Sequence, residues 1–355
     1  MVKTQSTIRI VIADDSFFMR RLLTEIIKNY RDLEIVGEAR DGQQALELAN
    51  KLKPDVITMD YNMPVLNGAE ATKKIMRVME NPPAIIMLSA HTREGAAETF
   101  RCLRAGALEY ITKPSGELSL DINIIEDEII EKIRTASQSR VKKYEEIKQR
   151  EKRGVVTAKK LTKVVVIGAS TGGPPLVENL VSEMPANLNV AVVIIQHMPK
   201  FFTEIFAERL NDISVLPVKE VVNGDVLEAG KMYLSPGGNV LKFTRLETGV
   251  RKGEVIMELL TEKVHSKLST IDGAMASLAT VFKKNIIAVL LTGMGEDGLV
   301  GVKEVKQAGG YVIAQDPNTA AVRSMPEAVI QAQLVDAVLS PEKIIDKIIE
   351  QCQSI

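Results

Sequence analysis

Asp14, Asp15 and Asp60, with Ser89 and Lys113, form one group of side chains whose types and positions could do chemistry. Asp14 and Asp15 directly follow an apolar run, Ile8 to Ala13, and Asp60 directly follows another, Val56 to Met59. Ser89 ends a run that starts at Ala84, and Lys113 comes just after Tyr110-Ile111. If these runs are neighbouring strands of a parallel sheet, the residues after them share the edge at which such folds bind ligands. Three carboxylates gathered there repel one another unless a cation sits between them. Mg²⁺ suits the place, being a hard ion that takes a few carboxylates and keeps waters for an incoming phosphate. A carboxylate nucleophile, a metal and an ammonium are the parts that accept a phosphoryl group as an acyl phosphate.

A second group lies further along the chain. Gly168-Ala169-Ser170-Thr171-Gly172 closes the run Val164 to Ile167 and matches G-x-S-x-G. In that motif a sharp strand-to-helix turn exposes a serine hydroxyl beside helix amides that can hold an oxyanion. The same residues also read as a Gly/Ser-rich turn or a phosphate cradle, although no Gly-Lys-Ser/Thr follows to make a P-loop. A serine nucleophile needs a base, and the chain has three histidines, His91, His197 and His265. His197 follows the strand-like run that ends Ile194-Ile195-Gln196, on the same expected edge as Ser170, whereas His265 stands in a polar stretch. Asp297, after the run Ile286 to Leu291, supplies a carboxylate to orient the imidazole and gives the order Ser, His, Asp. The α/β-hydrolase order is Ser, Asp, His, and no histidine follows Asp297, so that superfamily is excluded if the triad is real.

A competing pattern overlaps the triad. Gly293-Met294-Gly295-Glu296-Asp297-Gly298 spells G-x-G-x-x-G between a strand and a helix, with Asp316 at the distance of a ribose-binding acid. That alternative makes the back half a dinucleotide-binding output domain without chemistry. Against it, Glu296 and Asp297 would set two negative charges beside a pyrophosphate that needs amides, and Ser170 and His197 would have no role.

The elements that must position these residues follow from periodicity. Short β-branched runs alternate with helical patterns through the first third, which predicts a five-stranded parallel α/β sheet with strands at Ile8 to Ala13, Glu34 to Ala39, Val56 to Met59, Ala84 to Ser89 and Tyr110-Ile111. Ile125, Ile129, Ile130 and Ile133 recur at helix spacing after it. Residues 140–160 lose the apolar rhythm and carry nine basic residues against three acids, the composition of a solvated linker. The expected organisation is a domain over 1–135, a linker over 136–161 and a second domain over 162–355. The second pattern is also doubly wound α/β, with strands at Val164 to Ile167, Val190 to Ile195, Ile286 to Leu291 and Tyr311 to Ala314. Helices are expected near 174–184, 201–210, 272–284 and 299–308. Asn223-Gly224, Pro236-Gly237-Gly238 and Thr248-Gly249 predict β-hairpins between 215 and 262.

Composition bounds the rest. A chain of 355 residues suits two domains, and 45% hydrophobic with 26% charged residues excludes disordered, collagen-like and disulfide-scaffold classes. The net charge of −1 gives no general attraction to nucleic acid or to an anionic membrane. Cys102 and Cys352 have no cysteine near them, which fits a reducing compartment. With no signal-peptide pattern and no apolar run approaching a membrane span, the expected location is the cytoplasm, without membrane insertion.

Two resemblances cover nearly the whole chain. Residues 8–130 resemble a response-regulator receiver domain of flavodoxin-like fold, through Asp14-Asp15, Asp60-Tyr61-Asn62-Met63-Pro64-Val65-Leu66-Asn67-Gly68, Ser89-Ala90 and Lys113-Pro114. The resemblance implies Asp60 as phosphoacceptor, and Asp15, Asp60 and the Asn62 carbonyl as Mg²⁺ ligands. It also implies support from Asp14, Ser89 and Lys113, a rotamer-switching Tyr110, and a histidine kinase as phosphodonor. Residues 163–339 resemble the chemoreceptor protein-glutamate methylesterase family, through Ile167 to Pro174, Gln196-His197-Met198-Pro199, Leu234 to Gly238, Leu291 to Gly298 and Met325-Pro326-Glu327-Ala328. This implies Ser170 as nucleophile, His197 as general acid and base, Asp297 as orienting carboxylate and the Met294 amide as oxyanion donor. The catalytic unit then needs no cofactor, its substrates are methylated chemoreceptor helices, and glutamine deamidation is a second activity. It further implies that the unphosphorylated receiver covers the esterase cleft. The family's usual His-Arg-Pro-Ser-Val-Asp stretch is replaced by His265 to Asp272, two residues longer, and this stretch is expected at the rim of the site, where it would bear on substrate choice.

Overall fold

The computed structural model describes residues 7–90, 92–113, 122–139, 161–261 and 270–353. His91, Pro114 and His265 lie outside them, as does most of the expected linker. The chain divides into two compact units, Met1–Glu146 and Ile147–Ile355.

In the first unit, strands β1 (Ile8–Ala13), β2 (Leu33–Ala39), β3 (Val56–Asp60), β4 (Ala84–Ser89) and β5 (Glu109–Thr112) alternate with helices α1 (Phe17–Lys28), α2 (Gly42–Leu52), α3 (Gly68–Val78), α4 (Arg93–Ala105) and α5 (Ile122–Ser137). α5 runs two residues beyond the expected domain boundary at 135. Each of the first four helices starts on a residue whose side-chain oxygen accepts an amide of the first turn: Ser16, Asp41, Asn67 and Thr92. The strands form one parallel sheet in the order β2-β1-β3-β4-β5. That order reverses between β1 and β3, so the loops after these two strands part and leave a crevice, with Asp14 and Asp15 on one side and Asp60 on the other. Ile10, Ile12, Ile57 and Ile85 are fully covered. Burying each contributes about 1.5–3 kcal/mol, which offsets the cost of crowding acids at the sheet edge.

The second unit contains strands β6 (Val164–Ala169), β7 (Ala191–Gln196), β8 (Val218–Glu220), β9 (Met232–Leu234), β10 (Asn239–Arg245), β11 (Val255–Thr261), β12 (Ile286–Leu290), β13 (Tyr311–Gln315) and β14 (Ala337–Leu339). Its helices are α6 (Gly173–Glu183), α7 (Lys200–Ile213), α8 (Thr270–Phe282), α9 (Leu299–Gln307), α10 (Ser324–Gln331) and α11 (Pro341–Gln353). Seven strands form a parallel sheet ordered β14-β13-β12-β6-β7-β9-β8. Val164 and Val166 of β6 join a core with Leu241 and Phe243 of β10 and Met275 and Leu278 of α8. Val165 and Ile167, also buried, point to the opposite face, so this strand is covered on both sides.

An expected hairpin forms at Thr248-Gly249, where β10 and β11 pair antiparallel, the one such hairpin among the described residues. The runs at β8 and β9 instead extend the large sheet in parallel, β9 on β7 and β8 on β9. The turn at Asn223-Gly224 leads to an isolated bridge between Val226 and Ile256 rather than back along its own strand. Pro236-Gly237-Gly238 is the loop that leaves β9.

Candidate functional site

The order of the large sheet changes direction at β6, with β7 on one side and β12 on the other, so the turn after β6 stands at the switch point. Ser170 occupies that turn. Its amide donates to the Thr292 carbonyl just beyond β12 at 3.0 Å, and Gly172 closes the turn at φ 73°, in the left-handed region that glycine adopts without strain. Pro174 and Pro175 then open α6, where a missing amide hydrogen costs nothing.

His197 follows β7, and its amide donates to the Ala169 carbonyl at 3.0 Å, holding it beside the serine. Its Nδ1 lies 3.1 Å from Ser170 Oγ and its Nε2 lies 2.6 Å from Asp297 Oδ2. The three side chains expected from the sequence therefore meet in one hydrogen-bonded row. The Asp297 carboxylate also accepts the amides of Ile271 at 3.1 Å and Asp272 at 3.0 Å. The ring is turned opposite to the usual serine-hydrolase arrangement, in which Nε2 faces the hydroxyl. The short path from backbone to Nδ1 explains this, since the histidine main chain sits right against the nucleophile turn while Asp297 lies further out.

Gln196 was not singled out by its sequence context, yet it is buried and its Nε2 donates to the Ser170 carbonyl at 2.9 Å and to the His197 carbonyl at 3.2 Å. One amide group thus ties the main chains of both residues. The available signal was a polar residue ending an otherwise apolar strand. Gly293 is the other local requirement, because a Cβ there would stand 2.7 Å from Ser170 Cβ and 2.0 Å from Met325 Sδ. Its absence lets the Gly293-Met294 peptide lie against the nucleophile. A cleft of about 340 Å³ opens beside His197, lined by Met198, Ser235, Pro236, Asn239 and Thr270 among others.

The dinucleotide alternative meets an obstacle here. The amides of Gly298 and Gly301 at the start of α9, which a pyrophosphate would need, already donate to Asp272 Oδ1 at 2.9 and 2.7 Å. Asp316, the candidate ribose ligand, accepts the Asn318 amide at 2.9 Å in its own turn.

In the first unit the carboxylate oxygens of Asp14, Asp15 and Asp60 lie within 4.8 Å of one another. Asp14 and Asp60 are buried and Asp15 is exposed. Lys113 Nζ stands 3.0 Å from Asp14 Oδ2 and 2.8 Å from Asp60 Oδ1. Burial pushes the Asp60 carboxyl up to about 6, with Lys113 opposing the rise and Asp14 adding to it. Burial also works against the Lys113 ammonium, but Asp60 and Asp14 hold its pKa above the ordinary lysine value. One ammonium among three carboxylates leaves excess negative charge on hard oxygen donors, so the residues present fit a divalent cation such as Mg²⁺. Ser89 is buried at the end of β4, but its hydroxyl donates to the Gly95 carbonyl of α4 at 3.0 Å and accepts from Thr99 Oγ1 at 2.7 Å. Asn62 directs its side chain to Glu98 at 3.4 Å, and Tyr110 is buried.

Comparison with known proteins agrees with this arrangement. The CheB methylesterase pattern matches residues 165–348, and the response regulator receiver domain pattern matches residues 10–125. The protein-glutamate methylesterase/protein-glutamine glutaminase of Methanococcus maripaludis is 40% identical over 354 residues, which cover 95% of either chain. The chain belongs to the CheB methylesterase family. The Thermotoga maritima protein-glutamate methylesterase/protein-glutamine glutaminase is 41% identical, covering 98% of this chain and 99% of its own. The crystal structure of the Thermotoga maritima CheB methylesterase catalytic domain is 38% identical with a TM-score of 0.49, covering 53% of this chain and 97% of that one.

Residues 262–269, and with them most of the stretch His265 to Asp272, lie outside the described residues. Of its described end, Thr270 lines the cleft beside His197, whereas Asp272 is 7% exposed in the first turn of α8. Among the described residues no helix is long and apolar enough to cross a membrane.

Proposed function

We propose that this chain hydrolyses methyl esters of glutamate side chains on chemoreceptor helices, releasing methanol, and deamidates receptor glutamines with the same residues. The observation that carries the reading is the row Ser170 Oγ, His197, Asp297 with separations of 3.1 and 2.6 Å. In this reading Nε2–H donates to Asp297, which leaves Nδ1 as the acceptor that can take the serine proton. Ser170 Oγ attacks the ester carbonyl carbon as that proton passes to Nδ1, and the carbonyl oxygen becomes an oxyanion held by the Met294 amide. The tetrahedral carbon then expels methanol, which leaves with the proton from His197. Water adds to the acyl-serine, His197 takes its proton and returns it to Ser170, and the glutamate leaves as a carboxylate. With a glutamine substrate the leaving group is ammonia and the other steps are the same.

The reading extends to control. Asp60 is the proposed phosphoacceptor, with a sensor histidine kinase as donor. Asp15, Asp60 and the Asn62 carbonyl would hold Mg²⁺, which when bound neutralises charge on the phosphoryl oxygens. Lys113 contributes a fixed positive charge 2.8 Å from the accepting carboxylate, and Asp14 holds that ammonium in place. Phosphorylation raises hydrolysis by favouring the active population, which requires a phosphate with a differential free energy between the two states. We place receiver, linker and esterase at 1–135, 136–161 and 162–355, acting in the cytoplasm.

A fluorophosphonate probe tests the enzyme reading on the full chain. It should label Ser170 and fail to label a His197→Ala variant. No labelling of the native chain, combined with tight binding of a dinucleotide, would support the non-catalytic alternative instead.

A further inference from the structure

Two helices begin side by side next to the triad, and each presents a carboxylate to the start of the other. Asp297, two residues before α9, accepts the amides of Ile271 and Asp272 in the first turn of α8, at 3.1 and 3.0 Å. Asp272, inside that first turn, accepts the amides of Gly298 and Gly301 at the start of α9, at 2.9 and 2.7 Å. Four backbone donors that a helix start leaves without intrahelical partners are thereby satisfied by two carboxylates, each in the positive end of the other's helix. The exchange demands a very close approach. A Cβ at Gly301 would stand 2.9 Å from Asp272 Cα and 2.7 Å from Met275 Cβ.

We propose that Asp272 is a positioning residue for the catalytic carboxylate. The loop that carries Asp297 has Gly295 at φ 83° and Gly298 at φ 101°, so its own sequence permits many conformations. Asp272 restrains it twice, through its amide to Asp297 Oδ1 and through its carboxylate to the amide of Gly298, the residue next along the chain. Asp297 Oδ2 then stays 2.6 Å from His197 Nε2. Asp272 is buried, and its bearing on His197 runs through Asp297. This inference rests on the reading of Ser170, His197 and Asp297 as a triad.

A double-mutant cycle on the full chain tests it, reading methanol release from a methyl-esterified receptor helix fragment. Asp272→Ala should lower kcat about 10–100-fold, the usual loss when a supporting residue is removed, with KM little changed. Asp272→Asn, which keeps the oxygen acceptor for both amides, should recover most of that loss. In an Asp297→Ala background the further loss from Asp272→Ala should vanish, because its target is gone. An equal loss in both backgrounds, or no loss in native background, overturns the proposal. Phosphorylation by acetyl phosphate confirms that the first unit is folded, and the melting temperature reports on the second. If Asp272→Ala does not fold, Asp272→Ser is run through the same cycle, since its shorter side chain still suits a helix start. Native-level turnover in Asp297→Ala alone would instead overturn the triad reading.

Discussion

His197 faces Ser170 through a ring nitrogen whose identity follows from where its main chain sits. Its amide is bonded to the residue before Ser170, so Nδ1 reaches the hydroxyl and Nε2 is left for the acid. Replacing Asp297 by Asn offers the ring a donor as well as an acceptor and removes the charge that stabilises imidazolium. Asp297→Asn should therefore lower kcat by about 10⁴-fold while fluorophosphonate-accessible Ser170 remains in place. Kinetics of methanol release check this, and a loss below tenfold would mean that the carboxylate is not orienting the ring. Ser170, His197 and Asp297 were legible because each follows an apolar run, so the sheet brings their three loops to one edge. Gln196 and Asp272 were not. Glutamine at the end of a strand and aspartate in a helix's first turn have many ordinary structural roles, and their partners here are backbone groups that leave no mark in the sequence.

At the scale of elements, the strands that carry chemistry were readable almost to the residue, because burial on both faces writes them as continuous apolar runs. Val164 to Ile167 is extended only to Ala169, and Ile8 to Ala13 is unchanged. The short strands β8 and β9 carry no separate signal beside the glycine turns that predict hairpins between 215 and 262. Three-residue strands carry too little pattern to tell parallel from antiparallel pairing, and the glycine turns beside them turned the chain elsewhere. β14, α10 and α11 were missed for a related reason, since their exposed faces dilute the apolar signal. The loop after β12 can be tested as an element. Gly293→Ala would drive a methyl into Met325 and the nucleophile turn. It should cost about 1–3 kcal/mol of stability, as overpacking does, and lower kcat at least about tenfold by shifting Ser170. Melting temperature and single-turnover acylation measure the two effects separately, and a variant with normal acylation would show that the close approach is not needed.

The whole molecule joins a response regulator receiver domain to a CheB methylesterase domain, and its net charge of −1 gives the chain no general pull towards polyanions. The acidic cluster makes a separate prediction at this scale. Mg²⁺ should raise the melting temperature of the receiver transition, by an amount equivalent to about 2.7 kcal/mol at one hundred times its dissociation constant. Asp15→Asn should abolish that shift and leave the esterase transition where it was. Calorimetry reads both transitions, and a shift that survives Asp15→Asn would place the cation elsewhere. Asp60→Asn should remove stimulation by acetyl phosphate. The most direct measurement is methanol release from a methylated chemoreceptor fragment, by the native chain and by Ser170→Ala, with and without acetyl phosphate. The account predicts release by the native chain, more release with the phosphodonor, and none above background from Ser170→Ala in either condition. Turnover by Ser170→Ala at the native rate would contradict it.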